Sequence, residues 1–311
     1  MVKRPACDKN RTNAAWRRLE LPTWAVAAGI YVGFGLLSWH YHALPIWLLP
    51  LLGGWFVCWH GSLQHEIVHG HPTRWSWLNA ALALPSLALW LPYTLYREIH
   101  IAHHRTDALT CPDRDPESFY VRAGGWARFS RPHRWLLRAM NTLAGRLVLG
   151  PIHVCCRFWH AELGRIAAGD RRRLGHWLLH GAAVTPVLYW VLAVCQIPLW
   201  SYLLFFVWPG MSLTLLRSFA EHRAAADPAH RTAIIESNGL MSLLFLNNNL
   251  HAVHHDDPRL AWYELPRVYR AARGRIAARN GGYVLRGYAA LTRRFLLRPK
   301  DSPVRPRPAA T

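Results

Sequence analysis

Two long stretches of the chain carry no charged side chain. Residues 21–64 and 174–216 contain no Asp, Glu, Lys or Arg, and both are rich in large apolar residues. A membrane-spanning helix needs about 20 mostly apolar residues, so each stretch is long enough for two such helices. Because backbone polar groups cannot stay unpaired in hydrocarbon, we expect helices despite the internal Gly and Pro residues. The pattern predicts two membrane hairpins, with helices over residues 21–41, 46–62, 176–195 and 199–216.

A third apolar stretch, Trp75–Tyr96, is also free of charge but contains Pro85 and Pro92. It is predicted to be a re-entrant or interface-lying helix and not a fifth span. The fold class is therefore all-α: an integral membrane protein with about four transmembrane helices in two hairpins, interfacial or re-entrant helices, and a cytoplasmic helical cap.

The distribution of charge predicts the orientation of the chain. Its formal net charge is +20, and the basic residues lie before the first apolar stretch, within residues 65–173 and after residue 216. The positive-inside rule places these three regions in the cytoplasm, which fits a bacterial inner membrane. This accounts for the basic composition better than a nucleic-acid surface does. The basic face is also suited to anionic lipid head groups or an acidic redox partner.

The chain divides into three parts on this pattern. Residues 1–20 form a cytoplasmic amino-terminal segment, and residues 21–298 form the membrane domain. Residues 299–311 are rich in Pro and Arg and are predicted to be a disordered tail.

Eight histidines fall into three short motifs, here called the histidine boxes. On a helix, residues at i, i+3 and i+4 share one face, so each box is predicted to present its imidazoles in one direction. Imidazole suits iron, copper, nickel and zinc, and eight nitrogens exceed what one ion can use. The boxes therefore predict a two-metal site. They are HEIVH with His65 and His69, HIAHH with His100, His103 and His104, and HAVHH with His251, His254 and His255.

Two other classes of protein compete with this interpretation. HEIVH also matches HExxH, the zinc protease motif in which two histidines hold zinc and the glutamate, here Glu66, is the general base. That site needs one further ligand and leaves the remaining box histidines without a role. A metal transporter would place ionisable groups within its spans, whereas these spans carry only isolated histidines near their ends. Both alternatives are less favoured.

The boxes in the order HxxxH, HxxHH, HxxHH, with a membrane hairpin between the second and third, resemble the membrane fatty acid desaturase superfamily. This superfamily includes acyl desaturases, alkane hydroxylases, and carotenoid hydroxylases and ketolases. The resemblance extends from His65 to His255 and includes LTCPDRDPESFY and NNNLHAVHH. It implies two iron ions as cofactor and a ninth ligand, His222 in RSFAEH, shortly after the last span.

Metal-bound imidazoles usually donate their other N–H to a carboxylate or carbonyl group, which fixes the ring. Asp115 and Glu221 are the favoured candidates for this supporting role. His71 follows His69 by two residues and cannot share its helical face, so it is predicted to support or cap the site, with a ligand role left open. The other supporting candidates are Glu66, Glu98, Asn249 and Asp256.

The resemblance implies O2-dependent desaturation of a fatty acyl chain at the cytoplasmic face of the membrane. Hydroxylation of an alkyl, carotenoid or other amphipathic substrate is the alternative, because histidine boxes do not distinguish the two outcomes. The sequence has no dinucleotide, haem-attachment or iron–sulfur motif. Electrons are therefore expected from a separate ferredoxin or small haem protein and its reductase, and the lipid or acyl substrate from the membrane.

Overall fold

The computed structural model describes residues 15–306. Within this range the chain is mostly helical, as predicted, and only four residues form strands. Most of the predicted cytoplasmic segment 1–20 and the end of the predicted tail, residues 307–311, lie outside the described residues. The α-helices are α1 Ala15–Arg18, α2 Leu21–Trp39, α3 Leu48–Val68, α4 Ser76–Ala83, α5 Tyr93–Arg105, α6 Ala123–Trp126, α7 Arg131–Ala139, α8 Leu143–Ala167, α9 Arg171–Leu188, α10 Leu199–Tyr202, α11 Trp208–Glu221, α12 Leu240–Leu244, α13 His251–Asp256, α14 Leu265–Arg279 and α15 Gly287–Phe295.

Both predicted hairpins are present. In the first, α2 and α3 are joined by a 3₁₀ turn at Tyr41–Ala43. In the second, α9 continues into a π-helical segment, Tyr189–Val194, and the chain returns through α10, a second π-helical segment, Leu203–Val207, and α11. Gln196 makes the turn with a positive φ of 53°. The main apolar core lies between the two hairpins and contains Ile30, among other buried side chains.

Three helices of the described region are long and apolar enough to cross a membrane: Leu21–Trp39, Arg171–Val194 and Leu199–Glu221. The fourth predicted span, α3, is 21 residues long but is not among them. Its second half carries His60, Gln64 and His65, which lower its apolarity. The spans keep large apolar side chains exposed on their outer faces, including Leu36, Trp200 and Leu203, as expected for helices in contact with lipid.

The third apolar stretch does not form a span. Its helix α4 has eight residues and ends at Ala83, and the chain then runs without regular structure through Pro85 to α5. Eight residues rise only about 12 Å, too little to cross a bilayer. The prediction that this stretch is not a fifth span is confirmed by its length.

The segment after α11 folds back over the ends of the hairpins. It contains a 3₁₀ turn at Pro228–Arg231 and the strands β1, Ile234–Ile235, and β2, Val284–Leu285, which pair in parallel. This small sheet connects α13 to the last two helices and completes the region that the sequence predicted as a helical cap.

The carboxyl-terminal tail differs from its prediction over residues 299–306. Lys300 N donates to the carbonyl oxygen of Asn141 at 2.8 Å, and Val121 N donates to that of Pro303 at 2.9 Å. Arg305 N then donates to the carbonyl oxygen of Val121 at 3.1 Å. The tail is fixed because it pairs with a strand-like segment distant in sequence, which its Pro and Arg content does not reveal.

Close packing of α3 against α11 aligns the ends of the two hairpins. A Cβ atom at Gly54 would lie 2.8 Å from Cβ of Pro209, and one at Gly210 would lie 2.5 Å from Cβ of Val57. Small residues at such contacts allow helix backbones to approach closely in membranes. This approach brings the end of α3, which carries the first histidine box, close to the end of α11.

We expect Gly210→Ala to destabilise the protein by about 1–3 kcal/mol, because the added methyl group forces α3 and α11 apart. Thermal unfolding of the purified protein in detergent would measure the change. The matched control is Gly181→Ala on α9, where an added Cβ meets no atom within 4 Å. A Gly210→Ala variant as stable as Gly181→Ala would show that the close contact is unimportant.

Candidate metal centre

All nine histidines singled out from the sequence come together in the structure. They form two groups, and within each group the ring nitrogens lie within 4.8 Å of one another. The first group has five members and the second has four. They are His65, His69, His100, His104 and His254 in the first, and His103, His222, His251 and His255 in the second.

The two HxxHH boxes each contribute to both groups. In the second box, on α5, His100 and His104 join the first group and His103 joins the second. In the third box, on α13, the pattern is reversed, because His254 joins the first group while the other two histidines join the second. The sequence predicted that each box would point in one direction. The structure instead shows that i and i+4 point to one group and i+3 to the other.

Neighbouring imidazoles meet through their Nε2 atoms. Two cis ligands of one metal ion, each about 2.1 Å from it, stand about 3 Å apart, so the observed spacing fits a metal ion within each group. The Nε2–Nε2 distances are 3.1 Å for His69–His100, 3.0 Å for His100–His104, 3.1 Å for His104–His254, and 3.1 Å for each of His103–His222, His222–His251 and His251–His255.

Three of the rings have an oxygen atom next to Nδ1, on the side away from the histidine group, and this oxygen determines which ring nitrogen carries the hydrogen. His100 Nδ1 lies 2.9 Å from a Glu117 carboxylate oxygen, and His103 Nδ1 lies 2.7 Å from one of Asp115. His251 Nδ1 lies 3.0 Å from Oδ1 of Asn248. Because these oxygens accept hydrogen bonds, Nδ1 of each ring carries a hydrogen, which leaves Nε2 as the atom that can present a lone pair to a metal ion. Lone pairs facing each other at 3 Å are the donor set of a cation site.

Burial keeps most of these rings in the neutral form that binds metal. Burial, followed by repulsion from neighbouring imidazoles, lowers the pKa of His69 to about 3 and that of His104 to about 2. It lowers the pKa of His222 to about 3 and holds those of His254 and His255 well below their usual range. A neutral imidazole needs no deprotonation before it binds a metal ion.

His103 is the exception among these rings. Burial alone would lower its pKa, but Glu117 and the hydrogen bond to Asp115 outweigh burial and raise it to about 9. The pKa of Glu117 is in turn held well below its usual range, because His100 and His103 outweigh the effect of its burial. A metal ion binding at His103 would displace the second proton of this ring.

The two favoured supporting residues lie beside the histidine groups. Asp115 also accepts a hydrogen bond from Thr110 N at 2.7 Å, which fixes its carboxylate. Glu221 lies 3.6 Å from His251 Nδ1 and accepts a hydrogen bond from Asn248 Nδ2 at 2.9 Å. It also pairs with Arg217 at 3.0 Å.

The other four supporting candidates contact different groups. Their sequence positions are close to a histidine, but adjacent residues on a helix point in different directions. Glu66 accepts a hydrogen bond from Trp262 N at 2.9 Å, and Glu98 lies 3.2 Å from His176 Nε2 and pairs with Arg172. Asn249 Nδ2 donates to the carbonyl oxygen of Ile235 at 2.7 Å. Asp256 pairs with Arg279.

Two supporting residues were missed from the sequence: Glu117 and Asn248. Glu117 lies two residues after Asp115 in the DPE segment, so the pair could have been read as two acids on one loop. Asn248 lies three residues before His251, the spacing at which side chains meet along a helix, whereas the predicted Asn249 does not. Both residues lie close in sequence to a histidine, but other acidic and amide residues lie equally close, so sequence position alone did not single them out.

His71 lies outside both groups. Its Nδ1 is 2.7 Å from a Glu20 carboxylate oxygen, and its Nε2 is 3.7 Å from one of Glu66. Burial lowers its pKa, but the hydrogen bond that it donates to Glu20 and the charge of Glu66 outweigh burial and raise the pKa. His71 thus connects the start of α2 to the end of α3, beside the first histidine box.

A cavity of about 890 Å³ extends from the histidine groups between α3, α5, α8 and α11. Of the nine histidines, His222 lines it. Apolar side chains cover much of its wall, whereas polar side chains are also part of the lining. The apolar ones include Val57, Trp90, Ile99, Phe158 and Met211, and the polar ones include Gln64, Tyr96 and Arg217.

The comparison with known families agrees with this arrangement. The family model described as fatty acid desaturase matches residues 41–287, which is well over half of the chain and includes all nine histidines. No curated protein matches the chain significantly. The match covers α3, the whole second hairpin and all three histidine boxes, and the chain belongs to the fatty acid desaturase family.

Proposed function

We propose that the chain uses two iron ions and O2 to desaturate a fatty acyl chain at the cytoplasmic face of the membrane. The observation that carries this proposal is the junction between two buried histidine groups and a cavity with a largely apolar wall. Family membership supports an oxidoreductase. A cavity of about 890 Å³ is large enough for a long alkyl chain.

The five-histidine group would hold one iron and the four-histidine group the other. When bound, the two irons supply O2 activation and removal of hydrogen from an unactivated C–H bond. The chain supports this chemistry by holding the rings in place: Glu117, Asp115 and Asn248 accept hydrogen bonds from Nδ1 of three of them. Burial of the groups excludes water from the reacting atoms.

The cavity positions the alkyl chain beside His222, so that adjacent C–H bonds face the metal centre. Removal of hydrogen from two adjacent carbons gives a double bond, whereas addition of oxygen to one carbon gives an alcohol. The polar side chains Gln64, Tyr96 and Arg217 in the same wall favour hydroxylation of an amphipathic substrate as the second candidate.

A zinc protease is poorly supported. In such a site the glutamate of HExxH must lie beside a metal-bound water. Glu66 instead accepts a hydrogen bond from Trp262 N and lies near His71. Its neighbours His65 and His69 are joined by three further imidazoles where a protease would use one further ligand.

The topology supports a cytoplasmic metal centre supplied by a separate electron carrier. The first box is at the end of α3 and His222 follows α11, so both lie at the ends opposite the two hairpin turns. These are the ends next to the basic segments, which the positive-inside rule places in the cytoplasm. A ferredoxin or small haem protein with its reductase would supply the electrons there.

We expect His254→Ala and His222→Ala each to lower the iron content from about two to about one per chain and to abolish product formation, since each removes a ligand from one group. Metal analysis of the purified variants would measure this. We expect the same loss for His103→Ala. His160→Ala, an exposed histidine on α8, is the matched control, and His71→Ala should retain both irons. Full activity in any ligand variant would exclude that histidine from the metal centre.

We expect Glu117→Gln to weaken iron binding about 10- to 100-fold, because it removes the carboxylate that fixes His100. Glu98→Gln is the matched substitution, since Glu98 pairs with Arg172 and His176 and not with the histidine groups. Iron retention during stepwise chelation would compare the two. Equal retention would contradict the role assigned to Glu117.

The function itself is tested by expressing the chain with a ferredoxin and its reductase and analysing cellular lipids by gas chromatography and mass spectrometry. About two irons per chain and a new monounsaturated acyl chain are the expected result. Two irons with a hydroxylated product would favour the second candidate, and one zinc per chain without iron would contradict both.

A further inference from the structure

One end of the cavity carries three cationic side chains around two phenylalanine rings. Arg146 and Arg157 come from α8, and Lys300 comes from the ordered part of the tail. The rings are Phe119 and Phe219, which line the same end. We call this end the cationic end of the cavity.

Arg146 is the most deeply buried of the three cations, with 3% of its surface exposed. Its Nε donates to the carbonyl oxygen of Met140 at 2.8 Å, and its Cζ lies 3.9 Å from the centre of the Phe119 ring. Its Nη1 is buried and has no hydrogen-bond partner among residues 15–306. A buried guanidinium nitrogen without an acceptor is costly, which indicates that an acceptor belongs there.

Among residues 15–306, the other two cations bond only to backbone oxygens. Lys300 Nζ donates to the carbonyl oxygens of Phe219 at 2.7 Å and His222 at 2.6 Å. Arg157 Nη1 makes one long bond, 3.4 Å, to the carbonyl oxygen of Ser118. Within the described chain, none of the three cations has a carboxylate within 4.0 Å.

Asp301 is the acid next to Lys300, and its Oδ1 is buried without a hydrogen-bond partner among residues 15–306, so only its other oxygen is engaged. It accepts a hydrogen bond from the Tyr120 hydroxyl. Arg146 is buried and Lys300 is half-buried, whereas Arg157 is exposed at the rim of the cavity. Two cations withdrawn from water and one carboxylate leave an excess of positive charge next to an apolar wall. Unpaired charge in such surroundings favours binding of an anion.

The cavity wall on the side of α9 is different, because its cations are matched by acids. Glu162, which is 2% exposed, lies 3.3 Å from both Arg165 and Arg173. Glu98 pairs with Arg172 nearby. Charge alone therefore distinguishes the cationic end from the rest of the cavity.

We propose that the cationic end binds the small anionic head group of the substrate, a carboxylate or a phosphate monoester. The substrate class is then an amphiphile whose charged end enters the cavity together with its alkyl chain. A guanidinium and a carboxylate or phosphate form strong charge-assisted hydrogen bonds, which an ester or alcohol cannot replace. That this ligand is the substrate rests on the proposed function, whereas its binding does not.

The test is ligand binding by the full-length, iron-loaded protein in a non-ionic detergent. The probes are hexadecanoate, hexadecyl phosphate, methyl hexadecanoate and 1-hexadecanol, each measured by equilibrium binding of the radiolabelled compound. We expect at least one of the two anions to bind ten-fold or more tightly than the methyl ester and the alcohol. Which anion binds more tightly identifies the head group.

Arg146→Gln should reduce the preference for the anion about ten-fold and leave the affinity for 1-hexadecanol unchanged. Arg157→Gln provides a second variant, because Arg146 packs on two rings and its replacement can disturb folding. Arg138→Gln is the matched control, since Arg138 is exposed on α7 and stacks on Trp126 away from the cavity.

Equal affinity of the unaltered protein for anionic and neutral probes would overturn the proposal. An anion preference that survives in both Arg146→Gln and Arg157→Gln would also overturn it. If the anion preference is lost in these variants but no bound probe is ever converted to product, the anion site stands and the proposed enzymatic function fails. If the protein converts anionic and neutral probes to product equally well, the proposed enzymatic function stands and the anion site fails.

Discussion

The structure depends on holding nine imidazole rings close together inside the protein, most of them with a pKa well below its usual range. Bringing positively charged rings to within 3.1 Å of one another would be strongly unfavourable, so burial and mutual repulsion depress the pKa of most of them. The rings then offer lone pairs that only a cation can satisfy together. Carboxylates behind the rings, such as Glu117 and Asp115, supply compensating charge and fix ring orientation.

This requirement sets how the helices must pack. The histidines come from α3, α5, α13 and the residue after α11, which are far apart in the chain. Their ends can meet only if α3 and α11 lie close together, and Gly54 and Gly210 permit that approach. The division of each HxxHH box between two groups follows from the same geometry, because α5 and α13 both pass between the two groups.

The cavity connects the metal centre to the membrane part of the protein. Its lining is partly apolar and partly charged, which fits this position. Its apolar side chains suit an alkyl chain, whereas the buried Arg146 and the half-buried Lys300 suit a charged end. Lys300 also donates to the backbone of His222, so the tail supports both a wall of the cavity and the end of α11. A segment rich in Pro and Arg thereby becomes part of the candidate active site.

The sequence by itself determined the features that depend on local spacing. Charge-free stretches predicted both hairpins, and the i, i+3, i+4 pattern identified eight histidines, with the family resemblance adding His222. The tertiary structure decided what depends on the relative placement of distant segments. It selected Glu117 over Glu98 and Asn248 over Asn249, excluded His71 from both groups, and ordered the tail against Val121. Helix periodicity is readable from neighbouring residues, but the direction of a side chain toward a distant partner exists only once the helices have packed.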